Sequence, residues 1–269
     1  MLRLHVFDTG WVTVKEKYLF VGGGEKERRL PVLAFVIEHP AGLVVFDTGL
    51  SSQVAHNPAS YLGPLYNRLL PFRSLPDMDL PSQMRQRGLA PENVRTVILS
   101  HLHFDHTGGL RAFQNAEVKV SEVEWTAAQG RLTFVRGYKK QEYAGLPIQP
   151  IVYGGSPDAD SRSSYDVMGD GQIVLVPTYG HTRGHQSLLL DLDSGLVLLA
   201  GDAVYCAENY TKPAAQPMAD HGTAGWQSVV NIRGLWRAHP DILILPAHDA
   251  LSLQNPRPDI LVGPQWQWA

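Results

Sequence analysis

The stretch SHLHFDHTGG, residues 100–109, puts three histidines and an aspartate within six positions, directly after the apolar run RTVILS. Imidazole nitrogens and carboxylate oxygens are ligands for divalent cations. His101 and His103 lie two apart, and on extended backbone such side chains share a face and converge on one ion. Asp105 and His106 follow where the chain must turn, so they point elsewhere, a geometry that suggests two adjacent ions. Thr107, Gly108 and Gly109 supply the small residues of a tight turn.

Three later residues share this context. His181 follows IVLVPTYG, Asp202 follows LVLLAG and His248 follows ILILPA. Residues just past strands gather at one edge of a sheet, where loops build sites. Five histidines and two aspartates make seven ligands, whereas one ion takes about four. Seven suit two ions that share one carboxylate and one water. Asp202 is the natural bridge, because a carboxylate has two oxygens and an imidazole does not easily span two metals. His5, His39, His56, His221 and His239 lack this context and read as surface or packing residues. His185, in GHTRGHQS, is not counted as a ligand; it reads as a residue that bonds a ligand or backbone from behind.

The elements that must position these residues follow from short apolar runs between turn signals. RLHVFDTG, PVLAFVIE and GLVVFDTG read as three successive strands, and RTVILS as a buried one. QIVLVPTYGH, HQSLLLDL, GLVLLAGDA and DILILPAHD read as four more. MRQRGLAPENV reads as a helix end and a turn. SEVEWTAAQ opens a helix with Ser121 and Glu124 in a capping-box pattern. GWQSVVNIRGLWRAH has helical spacing of Trp226, Val229, Val230 and Leu235, broken by Gly234. Residues 51–81 are rich in proline and aromatics and read as an irregular excursion that covers a site or makes a homodimer contact. Residues 130–170 read as loops. The whole, 1–269, reads as one mixed α/β domain.

Composition excludes several classes. The 269 residues are 44% hydrophobic with a net charge of −3, globular and without the basic tract of a nucleic-acid partner. The single cysteine, Cys206, leaves no internal disulfide and fits a reducing compartment. The start, MLRLHVFDTG, lacks a signal-peptide run, and no stretch approaches the roughly 20 apolar residues of a membrane span. The expectation is a soluble, cytoplasmic protein with no membrane partner.

The ordered motifs HLHFDH, GH at 180–181, GDA at 201–203 and AHD at 247–249 resemble those of the metallo-β-lactamase superfamily. FDTG at 46–49 resembles its early motif, whose aspartate, here Asp47, supports the metal loop without ligating. The resemblance runs from about residue 30 to 250 and implies an αββα sandwich of two mixed sheets, with metals at one edge. Within the superfamily, SHLHFDHTGG, GHTRGHQSLLL and GDAVYCAENY are most similar to the N-acyl-homoserine lactonases, with Thr182-Arg183 a departure from their usual Ser-Pro. The resemblance implies that His101, His103 and His181 hold one metal and Asp105, His106 and His248 the other, with Asp202 between. It also implies that Tyr205 touches the substrate carbonyl.

The expected chemistry is attack of a metal-bridging hydroxide, formed at neutral pH, on a lactone or other ester. Asp105 would return the proton to the leaving alkoxide. Trp11, Tyr18, Phe20, Leu50 and Phe104 are candidates for an apolar wall against the acyl chain. Zinc suits the donors, as do iron, manganese and cobalt. Rival readings are a thioesterase, a β-lactamase, an aryl-ester or organophosphate hydrolase on the same scaffold, and a non-catalytic metal-binding protein. The chain after His248 is short for the helical part of glyoxalase II–like thioesterases. A class B β-lactamase would carry cysteine where Asp202 stands. A structural metal site would be closed and four-coordinate.

Overall fold

The computed structural model describes residues 2–131, 133–154 and 164–263. Two sheets face each other. One holds β1 (Arg3–Lys15), β2 (Glu27–His39), β3 (Gly42–Phe46), β4 (Phe72–Arg73), β5 (Val94–Ile98), β6 (Glu117–Ser121), β7 (Ile148–Ile151) and β13 (Ile260–Val262), in the order β13-β1-β2-β3-β5-β6-β7 with β4 on β1. The other holds β8 (Tyr165–Asp166), β9 (Ile173–Pro177), β10 (Gln186–Leu192), β11 (Gly195–Gly201) and β12 (Leu243–Pro246), in the order β12-β11-β10-β9-β8.

The period-2 geometry of strands explains why the central runs are apolar throughout. On β2, Leu33, Phe35 and Ile37 face the inner core with Leu175, Leu188 and Leu199 of the other sheet. Between them, Ala34 and Val36 face outward, against Leu80 and Met84 of the helix α4 (Leu80–Gln86). On β11, Val197 and Leu199 point inward, while Leu198 and Ala200 meet Val229 and Ile232 of the long helix α9 (Gly222–Ala238). Four layers result, helix, sheet, sheet, helix, as expected. Among the described residues no helix is long and apolar enough to cross a membrane.

Several local expectations need correction. The excursion at 51–81 is mostly helical: α1 (Gln53–His56), α2 (Pro58–Leu62) and α3 (Pro64–Leu69), then β4. Pro58 and Pro64 stand in first turns, where proline's missing N–H costs nothing, and Asn57 caps α2 by accepting from Ser60 N. These prolines start helices; they do not interrupt a chain. Residues 130–170 are not all loop. They contain a turn of 3-10 helix at Thr133–Arg136, α7 (Lys140–Tyr143), β7 and β8, while 155–163 lie outside the described residues. β7 ends its sheet, and there Pro150 is tolerated, which hid it from strand patterning. The hairpin of β1 and β2 also runs past the predicted motifs, pairing Val12 with Leu30 and Lys15 with Glu27.

Ser121 stands before α6 (Glu122–Ala128) but makes no capping bond, and Glu124 turns inward instead. α9 continues through Gly234. Trp226 and Val230, half of the apolar set read from spacing, face solvent. Gly234 is exposed with open space where a Cβ would stand. Gly234→Ala should therefore stabilise the protein by about 0.5–1 kcal/mol in urea denaturation; a loss of stability would mean that the helix is interrupted there.

Candidate metal centre

Four strands deliver the predicted ligands to one edge. β5 leads to His101 and His103, and the one-turn helix α5 (Phe104–Thr107) carries Asp105 and His106. β9 leads to His181, β11 to Asp202 and β12 to His248. β9 and β11 both run antiparallel to β10, and β12 runs parallel to β11, so all three end on the same side. All seven side chains are buried except that of His103, which is half-buried.

Their polar atoms form two groups, with a third, His101, His106 and Asp202, spanning them. His181 Nε2 lies 3.2 Å from His101 Nε2 and 3.1 Å from His103 Nδ1. His248 Nε2 and His106 Nε2 lie 3.6 and 3.8 Å from Asp105 Oδ2. Asp202 sits between them: Oδ2 is 3.3 Å from His181 Nε2, and Oδ1 is 3.3 Å from His248 Nε2 and 3.4 Å from His106 Nε2. Nitrogens bound at about 2.05 Å to a tetrahedral ion stand roughly 3.3 Å apart. His101, His103 and His181 therefore form one set with metal-holding spacing, and Asp105, His106 and His248 another.

The other nitrogen of most of these rings is occupied, which decides which lone pair is left free. His101 Nδ1–H donates to Ser100 Oγ at 2.9 Å, and that hydroxyl donates to Asp47 Oδ2 at 2.7 Å. His106 Nδ1–H donates to Asp47 Oδ2 at 2.8 Å, and His248 Nδ1–H to the Pro31 carbonyl at 2.8 Å. His181 Nδ1 lies 2.7 Å from Tyr205 Oη. A cation held by His101 Nε2, His103 Nδ1 and His181 Nε2 would relieve the repulsion of lone pairs held so close. His106 Nε2 and Asp202 Oδ1 are buried with no hydrogen-bond partner, a costly state for polar atoms that a ligated cation removes.

Charge points the same way. Burial, together with the neighbouring histidines, holds the imidazoles of His101 and His181 well below their ordinary value; Asp202 only partly opposes this at His181. Burial also lowers His103, to about 4. At His106 burial acts in the same sense, but Asp47, Asp202 and Asp105 outweigh it and push the ring up to about 10. Burial is likewise outweighed at His248, by Asp202 and Asp105. One corner thus offers neutral nitrogens, and the other draws positive charge. Both are what divalent cations need.

Behind the ligands stand the supports. Asp47 accepts from Ser100 N–H at 2.7 Å as well as from Ser100 Oγ and His106. It does so from a left-handed backbone, φ +55°, which aspartate and asparagine tolerate better than most residues. His185 accepts the Asp202 N–H at 3.0 Å through Nε2, while Nδ1 pairs with Thr178 Oγ1 at 2.9 Å. Its approach demands Gly201: there φ is +54°, and a Cβ would lie 2.8 Å from His185 Nε2. Glu124 is a support that sequence reading missed, because its place in SEVE reads as a helix cap. Only the fold brings it behind the histidine loops.

A cavity of about 340 Å³ opens over the ligands. Its walls include Val12, Val14, Leu30, Tyr66, Leu70 and Phe72, with Tyr205 and Asp105 near the ligands and Tyr18 further out. Trp11, Phe20, Leu50 and Phe104 do not line it, which corrects the expected wall. Trp11 points to the other face of β1, with the Arg29 guanidinium 3.8 Å from its ring. Leu50 is fully buried, and Phe20 packs on the cluster that contains it. Phe104 is buried beneath Tyr66 and Phe72, its ring 5.5 and 4.9 Å from theirs. The alternation of Trp11, Val12, Thr13 and Val14 was a legible signal for Val12 and Val14; the contributions of α3 and β4 were not. Asp47→Asn keeps the size of the side chain but removes its charge and turns an NH₂ donor toward either Ser100 N–H or the Ser100 hydroxyl and His106 Nδ1–H. It should weaken metal retention about 10–100-fold against a competing chelator; unchanged retention would show that Asp47 does not support the ligands.

A sequence profile of the metallo-beta-lactamase superfamily matches residues 28–266. The chain is 30% identical over 257 residues to the N-acyl homoserine lactonase AttM of Agrobacterium fabrum, covering 94% of this chain and 95% of that protein. It is 34% identical over 183 residues to an N-acyl homoserine lactonase of Bacillus cereus, 67% of each chain. Its fold is similar to that of an N-acyl homoserine lactone hydrolase solved with the product N-hexanoyl-L-homoserine at its catalytic metal centre. That TM-score is 0.80 at 24% identity, over 95% of this chain and 96% of the other. With matches that span nearly its whole length and the ordered ligands gathered at one sheet edge, the chain belongs to the metallo-β-lactamase superfamily, in the branch of the N-acyl homoserine lactonases.

Proposed function

We propose that the protein opens the ring of N-acyl homoserine lactones, using two divalent cations held by His101, His103 and His181, by Asp105, His106 and His248, and by Asp202 between them. The observation that carries this reading is the cavity: five of the seven ligands, His103, Asp105, His181, Asp202 and His248, at its floor, apolar walls above, and Tyr205 beside them. The curated relatives named as N-acyl homoserine lactonases support it. Zinc is the first candidate for the cations, because nitrogen and carboxylate donors suit it.

When bound, the cations supply hydroxide at neutral pH and polarise the scissile carbonyl. The protein's own groups do the rest. A ligating His181 Nε2 requires the proton on Nδ1, so His181 donates to Tyr205 Oη and leaves the phenol hydrogen free. Burial, reinforced by Asp202 and Asp105, keeps that phenol protonated. It can then donate to the carbonyl oxygen as negative charge develops. The Asp105 carboxylate, in the cavity wall, takes the proton of the hydroxyl added to the carbonyl carbon and passes it to the leaving alkoxide as the ring C–O bond breaks, leaving a carboxylate product. In a lactone that alkoxide remains tethered, so no second pocket is needed for it. Val12, Val14, Leu30 and Leu70 face the acyl chain, each buried methylene contributing about 0.8 kcal/mol at most.

A panel read by acid release tests the substrate: acyl-homoserine lactones of several lengths, other lactones, a thioester, a β-lactam and paraoxon. Acyl-homoserine lactones should be hydrolysed fastest, with kcat/KM rising with chain length; lactones as the slowest class would refute the proposal. Tyr205→Phe, assayed in excess metal because it also removes the acceptor for His181, should lower kcat on the order of 10²-fold with little change in KM. An unchanged kcat would remove Tyr205 from the chemistry.

A further inference from the structure

Glu124 lies on α6, packed outside the first sheet, and none of the seven ligands belongs to that helix. Its carboxylate is fully buried and, among the described residues, forms no ion pair with lysine, arginine or histidine. Instead it accepts three hydrogen bonds: from Leu102 N at 3.1 Å, from Gly184 N at 3.1 Å and from Tyr138 Oη at 3.0 Å. Leu102 stands between His101 and His103. Gly184 closes the turn that carries His181. The Tyr138 ring lies edge-on to the His103 ring, centroids 5.0 Å apart, and the two residues form a β-bridge.

Every donor to Glu124 therefore sits beside a ligand of the three-histidine set. None belongs to Asp105, His106 or His248; His106 leans on Asp47 and His248 on the Pro31 carbonyl. The fit is close: a Cβ on Gly184 would stand 2.1 Å from Glu124 N. We infer that Glu124 is a positioning residue of the three-histidine metal position alone, clamping the loop after β5 to the loop after β9, whereas Asp47 reaches both positions, His106 directly and His101 through Ser100. This rests on the two-cation reading above. An ionised carboxylate suits the place because it only accepts. Glutamine would turn an NH₂ donor toward either Gly184 N–H or the pair of donors on the other side.

The test is metal stoichiometry, with the absorption of the cobalt-loaded protein as a second readout, on the full chain. Wild type should take up two cations. Glu124→Gln should keep one firmly and bind the other about 10–100-fold more weakly. Combined with His103→Ala it should lose no more metal than His103→Ala alone, whereas combined with His248→Ala it should lose both cations. Leu188→Ala, a core change between the sheets, controls for general loss of stability and should keep two. Should Glu124→Gln not fold, Tyr138→Phe removes one of the three bonds and should weaken the same position several-fold. The inference is overturned if these variants bind two cations as tightly as wild type, or if Leu188→Ala loses one in the same way. A wild type that takes up a single cation overturns the two-cation basis itself, and the wild-type titration alone reveals that case.

Discussion

Five imidazoles and two carboxylates share a small volume, and four of the imidazoles keep one nitrogen free while the other is bonded. The whole arrangement depends on this constraint. An imidazole whose Nδ1–H is not held can rotate or change tautomer and lose its lone pair as a ligand. Hence each clamp is itself buried: Asp47 under His106 and Ser100, the Pro31 carbonyl under His248, and His185 under the Asp202 backbone. Water does not replace these partners, because the strand ends are shut between two sheets and their helices.

The same constraint explains features that would be liabilities elsewhere. Asp47 accepts a left-handed backbone, and Gly201 is confined to one by the ring of His185. His106 and Asp202 keep buried atoms without hydrogen bonds. Such local costs persist where the surrounding structure over-determines them. Here the inner core does so. Inner side chains that fit the facing sheet set the register in which β5, β9, β11 and β12 end, because a slip of one residue would turn each strand's inner side chains outward.

The excursion between β3 and α4 adds a second level. Its short helices bring Tyr61 and Tyr66 over Phe104, and β4 brings Phe72. Phe104 lies within the ligand motif yet faces away from the cavity. It links the metal loop to the wall, so the shape of the cavity and the placing of Asp105 and His106 are mechanically joined. The β1–β2 hairpin supplies the opposite wall through Val12, Val14 and Leu30.

Much of this was legible in the sequence because it is local. HLHFDH after an apolar run, and single residues after three later runs, marked the candidate ligands that the fold gathers, since strands end where apolar alternation stops. Asp47 was readable as a support through the family resemblance, and His185 from its place four residues after His181. What only the tertiary structure decided are matters of contact between distant segments. Glu124 reads as a helix cap until Leu102 and Gly184 are brought to it. Phe104 and Leu50 read as wall until packing buries them. The prolines of the excursion read as breaks until they are seen at helix starts. Spacing along the chain determines which atoms can be ligands; which atoms hold them still, and what surface faces the substrate, depends on separations in space that no local pattern encodes.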